Sequence, residues 1–333
     1  MISRTFGVVS PHSTIKLTSL QLVYPPISNQ EAVWIERERD PDVRDALRTS
    51  DFYMIVGRPD CGFSDVEVDP PEVRFSIRVG EAVGARSAID MADAVDPDHL
   101  GEVETFILDL GDKLIRARLD GPTEDSEVLA WFTPDKLAWD HANGHPGLDR
   151  VEIPAGLITY DLLYIGIASE GDSYRRLIES GHQRRTEILA NEPQRFPGAR
   201  VTDEILLLFF RLESLYMRTL DVEALTPEYF LNPREPDRKR VVKDLEKALV
   251  SQLRPSYNRT TYDSYPRSAD GLEGSGLDRY GYVIAENMVL RTAVGEFHGS
   301  RGLVPGLAGD AADFVVVADS DVAVIHHQPG AEQ

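Results

Sequence analysis

The chain has 333 residues, of which 42% are apolar, and its formal net charge is −21 at pH 7. This length suits two domains with a sizeable core, and the longest strictly apolar run, residues 205–210, is too short to span a bilayer. The single cysteine, Cys61, excludes an internal disulfide. Because the first residues also lack the pattern of a secretory signal, we expect a cytoplasmic protein with no membrane partner.

The first 148 residues are predicted to form a mostly β domain. Residues 73–79 alternate between apolar and polar side chains, which is the pattern of a half-buried strand. Two apolar runs on either side of Gly111-Asp112 predict a β-hairpin, and residues 128–132 predict a further strand. Thr133-Pro134 then predicts the start of a short helix, because proline is favoured at the first helical position.

The next region, residues 149–268, alternates short strands with helices. Residues 162–165 form an apolar run that stops at Gly166, which predicts a buried strand ending at a sheet edge. Asp172 or Ser173 can accept hydrogen bonds from the free amides at the start of a following helix. Residues 204–210 predict a middle strand, and apolar residues at helical spacing between 241 and 253 predict a second helix that ends before Pro255.

Two motifs in this region resemble the GIY-YIG endonucleases. Tyr164-Ile165-Gly166, followed by Arg176-Leu177 and then His182, is similar to the second half of the family signature. The segment EKALVSQLRPSYN, from Glu246 to Asn258, is similar to the family's closing motif, in which a glutamate precedes two aliphatic residues and an RPxYN ending. The resemblance covers residues 150–266 and is that of a divergent member of the superfamily.

The resemblance implies a phosphodiester hydrolase that uses Mg²⁺ or Mn²⁺. It implies that Tyr164 acts as the general base, and that Arg176 stabilises the charge on the scissile phosphate. Glu246 would hold the metal ion, because Mg²⁺ prefers oxygen ligands. His182 would bind phosphate or accept a proton.

The family's first tyrosine is expected on the strand before Tyr164. Residues 151–153, where it would fall, contain no tyrosine, so Tyr160 is the candidate to replace it. Arg175 is the alternative to Arg176, since the helical register is uncertain by one residue. Ordinary structural roles also stay open, in which the tyrosines only pack, the arginine only forms a surface ion pair, and the glutamate is an exposed helix residue.

Residues 151–270 contain 17 basic and 19 acidic residues and are therefore nearly neutral within an acidic chain. Their basic residues are clustered, as phosphate contacts require, although solvated helix faces would give the same pattern. The predicted nucleic-acid-binding residues are Arg175, Arg184, Arg185, Lys239, Arg240, Lys243 and Asn258.

Residues 269–333 begin with a glycine-rich link and continue as short strands that are expected to pack on the rest of the chain. We therefore predict an α+β fold. At its centre is a small antiparallel sheet flanked by helices, similar to the GIY-YIG fold and formed by residues 149–268. A mostly β domain of residues 1–148 precedes it, and extra C-terminal strands follow.

The predicted function is that of a metal-dependent endonuclease acting on DNA, in a restriction or anti-phage defence context that only the family resemblance suggests. DNA is the expected partner, and a second copy of the chain or a defence-system protein are further candidates. The alternative is a catalytically degenerate module that binds nucleic acid or a partner protein without cutting.

Overall fold

The computed structural model describes residues 13–38, 40–95, 106–120, 127–168, 172–218, 235–303 and 306–327. This part of the chain is mostly β, with sixteen strands and seven α-helices. The strands are β1 Thr14–Leu22, β2 Ile27–Ser28, β3 Phe52–Gly57, β4 Cys61–Asp69, β5 Glu72–Val79, β6 Ala82–Asp90, β7 Phe106–Leu110, β8 Ile115–Leu119, β9 Val128–Phe132, β10 Thr159–Ile167, β11 Ile205–Arg218, β12 Arg279–Ile284, β13 Met288–Thr292, β14 Gly295–Gly299, β15 Phe314–Ala318 and β16 Asp321–Ile325. The helices are α1 Asn29–Glu38, α2 Pro41–Arg48, α3 Met91–Ala94, α4 Pro134–Ala142, α5 Gln183–Asn191, α6 Val201–Glu204 and α7 Arg238–Leu253, with a 3₁₀ turn at Ala155–Ile158 and a π-helical turn at Arg175–Glu179.

One large mixed sheet organises the described chain. Its strand order is β14-β13-β10-β3-β11-β1-β12-β15-β16, and the short β2 also pairs with β11. The pairs β10–β13 and β1–β12 are parallel, whereas the others are antiparallel. The centre of the sheet is continuously apolar, because β3 and the first half of β11 are buried on both faces.

The predicted fold class is wrong. We expected a small antiparallel sheet flanked by helices, but strands from the first, middle and last thirds of the chain all join the large sheet. The strand β1 pairs on one side with β11 and on the other with β12, which lies more than 250 residues later. Local hydrophobic patterns identify strands but do not determine which distant strands pair, so the sheet's size was not visible in the sequence.

The large sheet curls around helix α7. Side chains from nearly every face of this helix are buried, and they share one core with residues of β1, β3, β10 to β15. Ser300, just after β14, donates a hydrogen bond of 3.1 Å to the carbonyl of Ile284 in β12, which brings the two halves of the sheet together. Asp244 of α7 is fully buried and accepts hydrogen bonds from the hydroxyls of Tyr265 and Tyr282 at 2.8 and 2.6 Å.

The opposite face of the sheet carries a second core. Residues of β2, β3, β10 and the start of β11 pack there against α1, the π-helical turn and α5. The end of α2 also belongs to this core through Leu47, which is fully buried. Since β3 contributes to both cores, the strand is fixed firmly from both sides.

Strands β4 to β9, with α3 and α4, are inserted between β3 and β10. They form two three-stranded antiparallel sheets with a core of their own. The local predictions here are confirmed: the strand β5, the β7–β8 hairpin, the strand β9, and the N-cap of α4, where Thr133 accepts from the Lys136 amide at 3.2 Å.

The insertion is attached to the large sheet by a buried ion pair. Arg58, directly after β3, is 2% exposed and donates two hydrogen bonds of 2.9 Å to the Asp135 carboxylate of α4. A second guanidinium contact reaches Cys61 of β4, so the first residues of the insertion are held as well. Among the described residues, no helix is long and apolar enough to cross a membrane.

Candidate functional site

Strand pairing brings together two tyrosines that are far apart in the sequence. The strands β10, β3 and β11 are adjacent and antiparallel, and Tyr53 of β3 pairs with Gly166 of β10. The ring centroids of Tyr53 and Tyr164 are 6.1 Å apart. Tyr53 thus lies one strand from Tyr164, which is the position that the sequence analysis assigned to a first tyrosine. It was missed because the inserted sheets separate the two strands, although the apolar run of β3 ending at Gly57 was a usable strand signal.

Tyr160 does not belong to this group, and its assignment is corrected. The register of β10 against β3 shifts between Leu162 and Tyr164, which is a β-bulge at Leu163. Side chains alternate along a strand, so a bulge of one residue places Tyr160 and Tyr164 on opposite faces. Tyr160 is buried in the core around α7, with the Arg58 guanidinium 5.5 Å from its ring centre.

Gly166 is required by the close approach of Tyr53. A Cβ atom at Gly166 would lie 2.5 Å from the hydroxyl of Tyr53 and 2.8 Å from the ring of Tyr164. Contacts this short do not occur, so any side chain here would displace the Tyr53 ring. Gly166 therefore has a packing role, because its missing side chain leaves room for the Tyr53 ring of the neighbouring strand.

His182 completes the cluster at the start of α5. Its Nε2 is 3.1 Å from the Tyr53 hydroxyl, and its ring centroid is 5.5 Å from that of Tyr164. Its Nδ1 accepts a hydrogen bond from the Arg185 amide at 3.2 Å, so the imidazole is also the N-cap of the helix. Burial, together with three arginines of the same segment, lowers the pKa of His182 to about 4. The imidazole is therefore neutral at pH 7.

The positive charge of Arg176 influences the pKa of three other members of the cluster. Its guanidinium lowers the pKa of His182 and opposes the increases in pKa that burial causes in Tyr164 and Glu246. The residue lies in the π-helical turn Arg175–Glu179, and among the described residues its guanidinium has no hydrogen-bond or ion-pair partner. Short π-helical turns often occur at functional sites because they redirect one side chain.

The π-helical turn is held from outside by α2. Arg44 and Arg48 both bind the Glu179 carboxylate, at 3.1 and 3.2 Å. At the other end of the turn, the Asp172 carboxylate accepts from the Arg175 amide at 2.7 Å. Glu179 is therefore occupied by two arginines of α2 and does not pair with Arg176.

Glu246 is on α7, which packs against β10, and its charge influences the pKa of Tyr164. The strand β13 pairs only with Thr159 to Asp161, and no other strand of the described residues pairs with the rest of that edge. Glu246 is half-buried and, among the residues that the structure describes, has no hydrogen-bond or ion-pair partner. Burial raises its pKa to about 7, and Arg176 is the main opposing charge. In turn, burial and then the Glu246 carboxylate raise the pKa of Tyr164.

Asn258 secures this edge of β10. Its side-chain amide donates to the Ile165 carbonyl at 2.8 Å and accepts from the Ile165 amide at 2.9 Å. The Tyr257 amide donates to the Leu163 carbonyl at 2.9 Å. Asn258 therefore replaces a neighbouring strand beside Tyr164, and its side chain is committed to this contact rather than to nucleic acid.

The other predicted nucleic-acid-binding residues do not form one free basic surface. Arg184 pairs with Glu187, and Lys243 pairs with Asp270. The guanidiniums of two others are used inside the fold, since Arg185 binds Asn29 and Leu177, and Arg240 binds the carbonyls of Gly271 and Glu273. Arg175 and Lys239 are exposed.

The residues present are compatible with a divalent cation at Glu246. In the described ranges there is no cluster of three or more His, Cys, Asp or Glu side chains that could hold a metal ion. Mg²⁺ is, however, commonly held by one or two carboxylates together with substrate phosphates and water. A half-buried, unpaired carboxylate with a raised pKa is a suitable single protein ligand of this kind.

The members of the cluster differ in exposure: Tyr53 is fully buried and His182 nearly so, Tyr164 and Glu246 are half-buried, and Arg176 is exposed. Two cavities of about 300 and 420 Å³ are lined by other residues, one around Gln21 and Arg211 and one around Trp131 and Phe132.

Comparison with known proteins does not assign this chain to a group. No family model matches it, no curated protein matches its sequence, and no solved structure matches its fold.

Proposed function

We propose that the chain is a divergent GIY-YIG-like endonuclease that hydrolyses phosphodiester bonds in DNA with the help of Mg²⁺ or Mn²⁺. The observation that carries the proposal is the convergence of two phenols and a neutral imidazole with a guanidinium and a carboxylate that have no partner among the described residues. Tyr53 and His182 are buried behind the half-buried Tyr164, and Arg176 is exposed. These groups come from β3, β10, the π-helical turn, the start of α5 and α7. We further propose a cytoplasmic location, because the chain has a single cysteine.

The direction of the hydrogen bonds supports a proton path that ends at Tyr164. Because Nδ1 of His182 accepts from a backbone amide, the proton of the neutral imidazole is on Nε2. Nε2 therefore donates to the hydroxyl oxygen of Tyr53. The Tyr53 hydroxyl is then free to donate to Tyr164, and this interaction lowers the pKa of Tyr164. The path favours loss of a proton from Tyr164 rather than from Tyr53.

Arg176 supplies the fixed positive charge that phosphoryl chemistry needs. A guanidinium with no internal partner can contact a phosphate directly, and its delocalised charge suits the oxygens of a pentavalent transition state. The same charge favours the phenolate form of Tyr164. Arg176 thus acts both on the phosphate and on the group that accepts the proton of the attacking water.

Glu246 would hold the divalent cation. The ion would neutralise a carboxylate that otherwise raises the pKa of Tyr164, and would polarise the phosphate. In its absence burial and Glu246 keep Tyr164 protonated at neutral pH, so strict dependence of cleavage on the cation is expected.

The proposal is tested by cleavage of supercoiled plasmid by the full chain with Mg²⁺ or Mn²⁺ at several salt concentrations. We expect Glu246→Ala and Tyr164→Phe to cut at least about 100-fold more slowly than wild type, as for loss of a base or a metal ligand. Tyr160→Phe is the matched control, because its ring lies on the other face of the sheet, and it should cut at the wild-type rate. Equal behaviour of wild type and Glu246→Ala would overturn the proposal.

The degenerate binding module is the weaker alternative. A missing first tyrosine would favour it, but Tyr53 lies beside Tyr164 and offers a residue for that role. Salt-dependent DNA binding by the wild-type chain, unchanged by Glu246→Ala and without cleavage by either protein, would favour it.

A further inference from the structure

A cavity of about 300 Å³ lies along β1 and β11, beside the loop that follows β14. It is on the face of the large sheet opposite α7, because Phe209, two positions before Arg211 on β11, belongs to the second core. Gln21 and Arg211 are cross-strand neighbours in its floor, and residues 306–308 of the loop form a wall. A volume of this size suits a small molecule.

The wall of the cavity is fixed to the sheet by hydrogen bonds. Ser19 of β1 donates to the Gly306 carbonyl at 2.7 Å. Within the loop, the Gly302 amide donates to the Leu307 carbonyl at 2.9 Å. The cavity is therefore already formed in the absence of a ligand, which lowers the entropic cost of binding one.

Gln21 presents a hydrogen-bond donor to this cavity. The residue is 4% exposed, and its Oε1 accepts from Nε and Nη2 of Arg211 at 3.1 and 2.9 Å. Since a guanidinium only donates, the amide oxygen must face Arg211, and Nε2 lies on the other side, against Gly306. Among the described residues Nε2 donates to no acceptor. A buried donor is costly to leave unpaired, so the position calls for an acceptor that enters the cavity.

Arg211 adds a positive charge that the same amide orients. Two of its nitrogens bind Gln21, and Nη1 has no partner among the residues that the structure describes. Two carboxylates are near it. Glu213 is exposed and lies 3.7 Å from Nε, so this ion pair is weak. Glu286 is buried and is engaged by a backbone amide at 2.9 Å and by Arg301 at 3.5 Å. Nε2 of Gln21 and Nη1 of Arg211 thus remain available to an anion.

The other end of the cavity is apolar. Leu17, four residues from Gln21 along β1, is the cross-strand neighbour of Leu215, and Leu307 faces them from the loop. Leu215 and Leu307 are 45% and 44% exposed, so an apolar group placed here would remove leucine surface from water. Four residues of a strand span about 13 Å, which separates the polar end of the cavity from the apolar end.

We propose that this cavity binds a small carboxylate with an aliphatic chain. The planar carboxylate accepts from Nε2 of Gln21 and from the guanidinium of Arg211, a pairing whose geometry the two groups share. The chain lies along β1 and covers Leu17, Leu215 and Leu307. The site shares no residue with the cluster around Tyr164, so the inference does not depend on the proposed nuclease function.

The test is a methyl NMR titration of the full chain with octanoate, butanoate and octanamide. Octanoate should shift the methyl resonances of Leu17, Leu215 and Leu307 but not those of Leu110, an exposed leucine of β7. It should bind at least about 10-fold more tightly than butanoate, whose chain is too short to reach the leucines, and than octanamide, which has no charge. Unshifted cavity leucines at about 20 mM octanoate, or equal affinity for the amide, would overturn the proposal.

Substitutions in the polar end have effects of opposite sign. Arg211→Gln should weaken octanoate binding about 10-fold or more. Gln21→Glu should do the same, since it keeps an acceptor for Arg211 but replaces the Nε2 donor with an oxygen. Glu213→Gln should tighten binding about 2- to 5-fold, because it removes a competing carboxylate. Arg254→Gln is the control, since this surface arginine pairs with Asp263.

Arg211 and Glu213 are exposed, so their variants are expected to fold even if Gln21→Glu does not, and melting temperatures check this. Unchanged octanoate affinity in folded Arg211→Gln, or weaker binding by Glu213→Gln, would show that the carboxylate is not held at this end of the cavity.

Discussion

The hydroxyl of Tyr53 lies 3.1 Å from Nε2 of His182, although the two residues are 129 positions apart in the chain. The contact links the central strand of the sheet to the N-cap of α5. Because the Arg185 amide donates to Nδ1, the imidazole proton is on Nε2, and the contact therefore sets the direction in which the two tyrosine hydroxyls are polarised.

Two substitutions of His182 can separate its contact with Tyr53 from its role as the N-cap of α5. In His182→Asn the side-chain oxygen can still accept from the Arg185 amide, but no donor reaches Tyr53. We expect about 100-fold slower cleavage with a nearly unchanged melting temperature at pH 7.5. His182→Gln, whose longer amide can reach Tyr53, should recover part of the rate.

Substitution of His182 should also change how the stability of the fold depends on pH. The pKa of His182 falls from 6.5 to about 4 on folding, so the folded state loses stability relative to the unfolded state as the pH decreases from 6.5 to 4. His182→Asn should show a smaller loss of stability over this interval in urea unfolding. An acid-induced loss identical to that of wild type would contradict a buried neutral imidazole.

Glu246 is predicted to reduce the stability of the fold at alkaline pH. Burial raises its pKa from 4.5 to about 7, so its contribution to stability is lost as the pH rises through about 7. Glu246→Gln should therefore be more stable than wild type at pH 8, by about 1 kcal/mol after allowance for its partial exposure, and equal to wild type near pH 5.

Urea unfolding with and without Mg²⁺ measures this difference. The cation should stabilise wild type at pH 8 but not Glu246→Gln, because ligands stabilise the state that binds them. Glu213→Gln is the control, since Glu213 is an exposed glutamate on β11. A Glu246→Gln protein that is less stable than wild type at pH 8 would show that the carboxylate has a structural partner instead.

Arg176 and Arg240 should differ in what they contribute to DNA binding and to stability. The guanidinium of Arg176 has no partner among the described residues, so Arg176→Gln should weaken DNA binding and reduce the slope of log K against log salt by about 1. Arg240 donates to two backbone carbonyls, so Arg240→Gln should leave the slope unchanged and lower the free energy of unfolding by about 1–2 kcal/mol. Filter binding at several salt concentrations and urea unfolding measure the two effects.

If the slope of log K against log salt falls equally in Arg176→Gln and Arg240→Gln, the internal contacts of Arg240 must open when DNA binds. If the slope changes in neither variant, Arg176 is not part of the DNA-binding surface. Arg176→Lys is a useful intermediate, because it keeps the charge but loses the planar guanidinium.

Local elements of this protein were predictable because they depend on neighbours in the sequence. The alternating residues of β5, the hairpin at Gly111-Asp112 and the end of α7 before Pro255 are each set by side chains within a few positions. The residues of the two motifs were selected in the same way, from short spacings on single elements. No long-range information was needed for any of them.

The bulge at Leu163 is the clearest case of what local pattern omits. Tyr160 and Tyr164 have the same parity, so an unbroken strand would place both on one face and Tyr160 would be a reasonable member of the site. One extra residue in the strand instead places Tyr160 and Tyr164 on opposite faces. Its presence is decided by pairing with β3, which no pattern within β10 records.

Sequence alone predicted part of the strands and helices, and most of the polar groups that lie near Tyr164. Tertiary structure alone decided that strands from the whole chain form one curled sheet, that Tyr53 is the neighbour of Tyr164, and that Arg240 and Asn258 are used internally. The physical reason is that secondary structure follows from short-range sterics and periodicity. Strand order and the partners of polar groups follow instead from burying one shared core, which involves residues more than a hundred positions apart.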